Sequence, residues 1–233
     1  MFNFLKNKKS QNINGVEVVR SRKRTKTVSL RIKGGKVIIN CPQFISDSFL
    51  VNIIKKKSSW IEKKKKELEK RKEISVANGN YFLFFGKKYK IIISDSDFSD
   101  VKLEQNKIKI FCSKNEAKKV LTMWLKVQAN KYLKSRLKFI SRKIKINFKS
   151  VCIRQYKSRW GSCNSKAEIL LNWKLIMLPK NIIDYVLIHE LSHILEPNHS
   201  KNFWSLVKSF DTKYNFKKVW LKNYGSQIIN FNS

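Results

Sequence analysis

The sequence predicts an α+β chain in which a β-rich N-terminal part precedes a helix-bearing second half, and three observations carry that reading. Apolar and polar residues alternate with the period of strands at several places before residue 113. Apolar residues then recur at helical spacing from Val120 to Leu137, and again from Ile182 to Ile188. The three histidines of the chain, His189, His193 and His199, all fall at or just behind the end of that last run.

Taken in order, residues 1–14 read as a mobile basic lead. From Lys26 to Lys33, Val28, Leu30 and Ile32 alternate with polar neighbours, and Gly34-Gly35 then supplies the positive φ angles of a tight hairpin turn. A second strand runs from Lys36 to Asn40 and ends at Cys41-Pro42. Ser46 caps one long helix bearing Phe49, Leu50, Ile53, Ile54, Trp60, Ile61 and Leu68, with Lys63 to Lys66 on its wet face. Tyr81 to Phe85 and Lys88 to Ile93 flank Gly86-Lys87 as another hairpin, followed by strands at Val101 to Leu103 and Lys107 to Phe111. Residues 115–140 form a helix whose stripe of Val120, Leu121, Trp124, Leu125, Val127, Tyr132, Leu133 and Leu137 is expected to cover a sheet. No linker rich in Pro, Gly or Ser and no internal repeat is visible. The expected division is therefore 15–113 for the β-rich part with its long helix and 114–233 for the catalytic domain.

A chain of 233 residues, 42% of them hydrophobic, buries a core without cross-links. Cys41, Cys112, Cys152 and Cys163 form no CxxC pair, which argues against a disulfide framework and a cysteine-built zinc ribbon. Met1 to Lys6 lacks a secretory pattern, and no apolar run is long enough to span a bilayer, so a cytoplasmic location is expected. The formal net charge of +35 favours encounters with nucleic acid or other polyanions without specifying a site. An excess of lysine over arginine, alongside abundant Asn and Ile, also fits plain compositional bias.

The chemistry concentrates in His189-Glu190-Leu-Ser-His193, which follows Pro179 and the apolar run. Residues four apart share a helix face, so two imidazoles address one metal while Glu190 reaches a water there as general base. Pro197 should stop the helix and let the chain return His199 as a third ligand. Three protein ligands and an open position are what a catalytic zinc requires, and one Zn²⁺ per chain is expected. Glu196 directly precedes Pro197, a poor place for helical geometry, and is better read as a partner that orients a histidine.

With these residues in hand, the chain resembles the YgjP-like metallopeptidases, a family of zincin-like, metal-dependent hydrolases. One block of likeness is His189-Glu-Leu-Ser-His193 with Asn198-His199-Ser200 and Phe203-Trp204. The other is Arg154 with Ser158-Arg159-Trp160-Gly161-Ser162-Cys163 and Leu171-Asn172-Trp173. Ala167 departs from the pattern, standing where a turn glycine is expected. The resemblance implies a zincin-like half, its active-site helix packed on a small sheet, after a β-rich N-terminal part. It also makes Arg154, Arg159 and Asn172 candidates for the cleft wall, where an arginine holds a substrate carboxylate or an oxyanion.

The reading is a zinc-dependent hydrolase, foremost a metallopeptidase acting on peptide or protein substrates. Two alternatives stay open. A metal-dependent nucleotide pyrophosphohydrolase would use the positive charge, although no acidic cluster lies near the motif to recruit Mg²⁺. A nucleic-acid-binding module would keep the metal as a structural element and make its contacts through Arg20 to Lys26. Cys163 has no histidine left to activate it, since all three are assigned to metal.

Overall fold

The computed structural model describes residues 10–33, 35–69, 75–113 and 115–231, so residues 1–9 of the expected lead and Gly34 of the expected turn lie outside the described residues. The chain divides into two compact units, Met1–Lys72 and Glu73–Ser233. In the first, strands β1 (Ser10–Ile13), β2 (Val16–Ser21), β3 (Ser29–Lys33) and β4 (Lys36–Pro42) form a sheet in the order β1-β2-β4-β3. Ser10 to Ile13 belong to that sheet and not to a mobile lead. Asn14 and Gly15, with φ of 49° and 76°, make the two-residue turn that pairs β1 with β2.

The one long helix expected after Ser46 is two, α1 (Asp47–Lys56) and α2 (Ser58–Glu69). The Ser46 hydroxyl caps α1 by accepting from the Phe49 amide at 3.3 Å. At the break, the Ser58 hydroxyl donates to the Lys55 carbonyl at 2.9 Å, a local bond of the kind by which serine competes with helix continuation. Val16, Val18, Val37, Ile39, Cys41, Leu50 and Ile61 make this unit's core. In the basic segment, Arg20 pairs with Asp47, Arg22 donates to the Gln43 side chain and Arg24 to that of Thr27. Those three arginines are thus engaged in holding their own unit together.

The second unit opens with β5 (Tyr81–Phe84), β6 (Lys87–Asp95), β7 (Asp100–Glu104) and β8 (Lys107–Cys112), ordered β5-β6-β8-β7. Both four-stranded sheets follow one path: two antiparallel hairpins joined by parallel pairing of their second strands, β2 with β4 and β6 with β8. The repeat that the residues do not display exists in topology. Helix α3 (Ala117–Ile144) buries Leu121, Leu125, Ala129, Leu133 and Leu137, one every four residues. They share a single core with Ile91, Ile108 and Ile110 of the sheet and with later helices. For that reason the division falls between Lys72 and Glu73 and not near residue 113.

A three-stranded sheet follows, β10-β11-β9, from β9 (Ser150–Arg154), β10 (Gly161–Cys163) and β11 (Glu168–Asn172). A 3-10 turn at Trp173–Met177 leads into α4 (Lys180–Ser192), α5 (Lys201–Phe210) and α6 (Tyr214–Ile229). The α+β expectation holds, with the histidine-bearing helix set beside the small sheet in a half that follows β-rich structure. Two devices place α4. Arg136 of α3 grips Asp184 through two bonds of 2.7 Å, and the β5–β6 turn docks just ahead of the helix. That turn is Phe85-Gly86, one residue earlier than expected, and its amides donate to the carbonyls of Ile176 and Met177 at 2.8 and 3.1 Å. A Cβ at Gly86 would come within 2.6 Å of the Pro179 ring, so the approach itself demands glycine. Among the described residues, no helix is long and apolar enough to cross a membrane.

Ala167 closes the β10–β11 turn at φ 56°, which explains why a glycine is expected there. The Asn164 side chain holds the turn by accepting from the amides of Lys166 and Glu168 at 3.0 and 2.9 Å. A left-handed alanine costs roughly 1–2 kcal/mol, part of which glycine returns as extra entropy in the unfolded chain. Ala167→Gly should therefore stabilise the protein by about 1 kcal/mol in urea denaturation, with metal content unchanged.

Candidate metal centre

Helix α4 is buried along most of its length, from Ile182 to Ser192, and brings its C-terminal end to the site. His189 and His193 lie one turn apart, and His193 is the C-cap. The amides of Leu195 and Glu196 both turn back to the Ser192 carbonyl, at 3.2 and 3.0 Å, and Pro197 offers none. The chain then reverses into α5, whose N-cap Ser200 accepts from the Phe203 amide at 3.2 Å. This bend delivers His199 beside the other two. Ring centroids stand 4.9, 4.9 and 4.8 Å apart for the pairs 189–193, 189–199 and 193–199.

Phe203 is fully buried against all three imidazoles, its ring 5.0, 4.5 and 4.8 Å from those of His189, His193 and His199. Trp204 stacks on His199 at 5.5 Å and on Tyr214 at 5.6 Å, and the Lys218 ammonium sits 3.6 Å above the indole. The rings are therefore fixed by packing.

The donor set fits a metal. One nitrogen from each histidine lies within 4.8 Å of the others, and the Nε2 atoms of His189 and His199 are 3.1 Å apart. Two nitrogens on one tetrahedral zinc, each bound at about 2.0–2.1 Å, stand about 3.3 Å apart, close to that separation. Burial holds the His189 imidazole down to about 3, with further lowering from His193, His199 and Lys218; burial likewise lowers His193. Neutral rings keep their lone pairs for a cation. The Glu196 carbonyl lies 3.2 Å from His193 Nδ1, and a carbonyl only accepts, so Nδ1 carries the proton and Nε2 is free to ligate. Glu196 thus orients a histidine through its backbone, where the sequence suggests its side chain.

Glu190 is 5% exposed, and burial raises its carboxyl to about 8 against the lowering influence of Arg159. A carboxyl poised near neutrality suits proton transfer in both directions. It rests on Gly161 of β10, where a Cβ would stand 2.7 Å from Oε1 and 2.8 Å from Cδ. Sequence reasoning assigned Gly161 no role. The available signal was a glycine inside a strand, which marks a close approach of other atoms to the backbone.

Comparison with known proteins agrees with this geometry. Residues 26–224 match the family described as YgjP-like, metallopeptidase domain. The chain belongs to the YgjP-like metallopeptidase family. No curated protein is significantly similar to this metallopeptidase. Among solved structures, the metallopeptidase zymogen of Pyrococcus abyssi abylysin is similar at 22% identity over 40% of this chain and 95% of that one, with a TM-score of 0.36. At that distance the likeness fixes neither fold nor chemistry.

The remaining predicted residues of this YgjP-like peptidase separate clearly. Arg159 is exposed, and its charge acts on Glu190. Arg154 is exposed at the end of β9, opposite Asn172 in register. Asn172 is fully buried, its amide donating to the carbonyls of Tyr156 and Arg159 at 3.1 and 3.0 Å and its Oδ1 accepting from the Lys174 amide at 3.2 Å. It shapes the loop that carries Arg159 and is not a cleft-wall residue. Burial, reinforced by Glu190, pushes the Cys163 thiol to about 11, which keeps it protonated and unreactive. Asp211 is held by Lys217 at 2.7 Å.

Gly161→Ala should push the Glu190 carboxyl away while leaving the three histidines in place. Peptide hydrolysis should fall by roughly 10²-fold, the usual cost of about 1 Å of misplacement, with metal stoichiometry kept as measured by elemental analysis.

Proposed function

We propose that the protein is a zinc peptidase that binds one Zn²⁺ per chain through His189, His193 and His199 and uses Glu190 as general base. The observation that carries this reading is the convergence of three imidazoles beside a buried carboxyl. Zinc, when bound, supplies a Lewis acid that polarises the substrate carbonyl and makes water more acidic. Glu190 takes the proton of the attacking water on its carboxylate and passes it to the departing amide nitrogen. Phe203 and Trp204 keep the imidazoles from turning away. Arg159 is the cation assigned to a substrate carboxylate or to charge developing on the carbonyl oxygen, with exposed Arg154 at the end of β9 a second candidate.

Among the described residues, the histidine triad is the one cluster of three or more side chains suited to a metal. Among those same described residues no group of carboxylates accompanies it, which favours peptide over phosphoanhydride cleavage. The four cysteines are free, which suits a reducing, cytoplasmic setting. The charge of +35 lets the peptidase associate loosely with nucleic acid and other polyanions, including acidic protein substrates.

Two variants divide the roles. Glu190→Gln should retain zinc by elemental analysis yet lose about 10²–10⁴-fold in peptide hydrolysis. His199→Ala should lose most of the bound zinc, and added Zn²⁺ should restore little activity. Hydrolysis that persists in Glu190→Gln would remove the carboxyl from the mechanism.

A further inference from the structure

Beside the histidines lies a cavity of ≈ 240 Å³, lined by Trp160, Gly161, Tyr185, Val186, His189, Glu190 and Leu221. Two of these, His189 and Glu190, belong to the proposed machinery, and the rest of the lining is chiefly apolar. Its floor is the α4 turn preceding His189, where Tyr185 and Val186 are 4% and 3% exposed. Its roof is made of half-buried Trp160 and Leu221, packed against the core.

The roof is held from several sides. A Cβ at Gly225 would stand 3.2 Å from Trp160 Cζ2 and 3.0 Å from Leu221 Cδ1, so the missing side chain is the notch in which the indole rests. Helix α6 itself is pinned at both ends. Lys217 reaches back to Asp211 near its start, and the buried Lys174 ammonium donates to the Ile229 carbonyl at 2.8 Å at its finish. A roof so anchored belongs to a pre-formed hollow.

Size narrows the occupant. Sites for whole small ligands run from roughly 300 to 1,000 Å³, and this cavity is smaller, suited to one side chain. It is continuous with Glu190 and His189, so whatever fills it sits next to the bond being cleaved.

We infer that this cavity is a specificity subsite receiving an apolar substrate side chain, leucine-like or aromatic, on a residue flanking the scissile bond, with Trp160 and Leu221 setting its size. The inference rests on the peptidase reading and adds the class of residue that is recognised. Charged side chains are disfavoured because the walls offer no partner carboxylate or ammonium apart from Glu190, which is engaged in catalysis.

The test uses the zinc-loaded full chain with a library of end-blocked peptides varied at both positions flanking the cleaved bond. Wild type should prefer Leu, Met or Phe at one of those positions over Gly, Asp and Lys by roughly tenfold or more in kcat/KM. Leu221→Ala should shift that preference toward larger aromatic side chains, and Leu221→Trp toward Ala and Gly. Circular dichroism establishes that each variant is folded, and the opposite directions of the two shifts separate a subsite from general damage. A flat profile in wild type, or the same profile in both folded variants, overturns the subsite and leaves the peptidase standing. If wild type cleaves nothing, the peptidase reading fails instead. Calorimetric titration of Glu190→Gln with acetyl-leucine amide against acetyl-aspartate amide then decides the cavity alone: tighter leucine binding that Leu221→Trp abolishes supports it, and equal binding overturns it.

Discussion

Burying a helix end that carries two imidazoles and a carboxyl is the constraint to which the site answers, because polar groups withdrawn from water need partners. Helix α4 enters the core so fully that Glu190, at 5% exposure, and Ser192, at none, leave their polar atoms little solvent. Ser192 resolves this locally by donating to the Ile188 carbonyl at 2.8 Å. His193 resolves it through the Glu196 carbonyl, and the bend that provides that carbonyl also returns His199. What is left is a pair of Nε2 atoms facing each other at 3.1 Å, the buried and unpartnered Nδ1 of His189, and a carboxyl with its pKa raised by desolvation. A divalent cation is the partner that satisfies the facing Nε2 atoms together.

The parts of this arrangement legible in the residues were those set by local spacing. Two histidines four apart, a proline four residues beyond the second, and a third histidine two residues later dictate a helix, a stop and a return. Hairpins around β3–β4 and β5–β6, and the strands β7 and β8, were legible for the same reason, since alternation and turn residues act over a few positions. Strand β1 was missed although Asn14-Gly15 is a strong turn signal, because its four residues carry a single apolar side chain, Ile13, and gain their order from pairing with β2. The helix break at Lys57 was missed because it depends on one serine hydroxyl and not on hydrophobic spacing.

Contacts distant in sequence were not legible, and they account for the corrections. Asn172 is a cleft-wall candidate only through the family resemblance. Its amide instead bridges two carbonyls of the 156–159 loop, which no spacing rule foretells. The division of the chain was misplaced for a related reason. The sheet of β5 to β8 is sequentially nearer the N-terminal strands, yet α3 lies across it with its buried stripe from Leu121 to Leu137 and draws it into the catalytic core.

The sheet's inclusion in that core is functional as well as architectural. Its first turn, Phe85-Gly86, supplies two amides to carbonyls that no regular helix would satisfy, and it stops against Pro179 with no room for a Cβ. The start of α4 is thereby fixed by the β5–β8 sheet, its middle by Arg136 of α3, and its reactive end by Gly161 of the three-stranded sheet. A catalytic carboxyl is held to a fraction of an ångström only when its helix cannot slide or roll. Three contacts along thirteen residues, each from a different element, remove those freedoms, and two of the three depend on a glycine whose side chain would occupy the space that α4 or its approach requires.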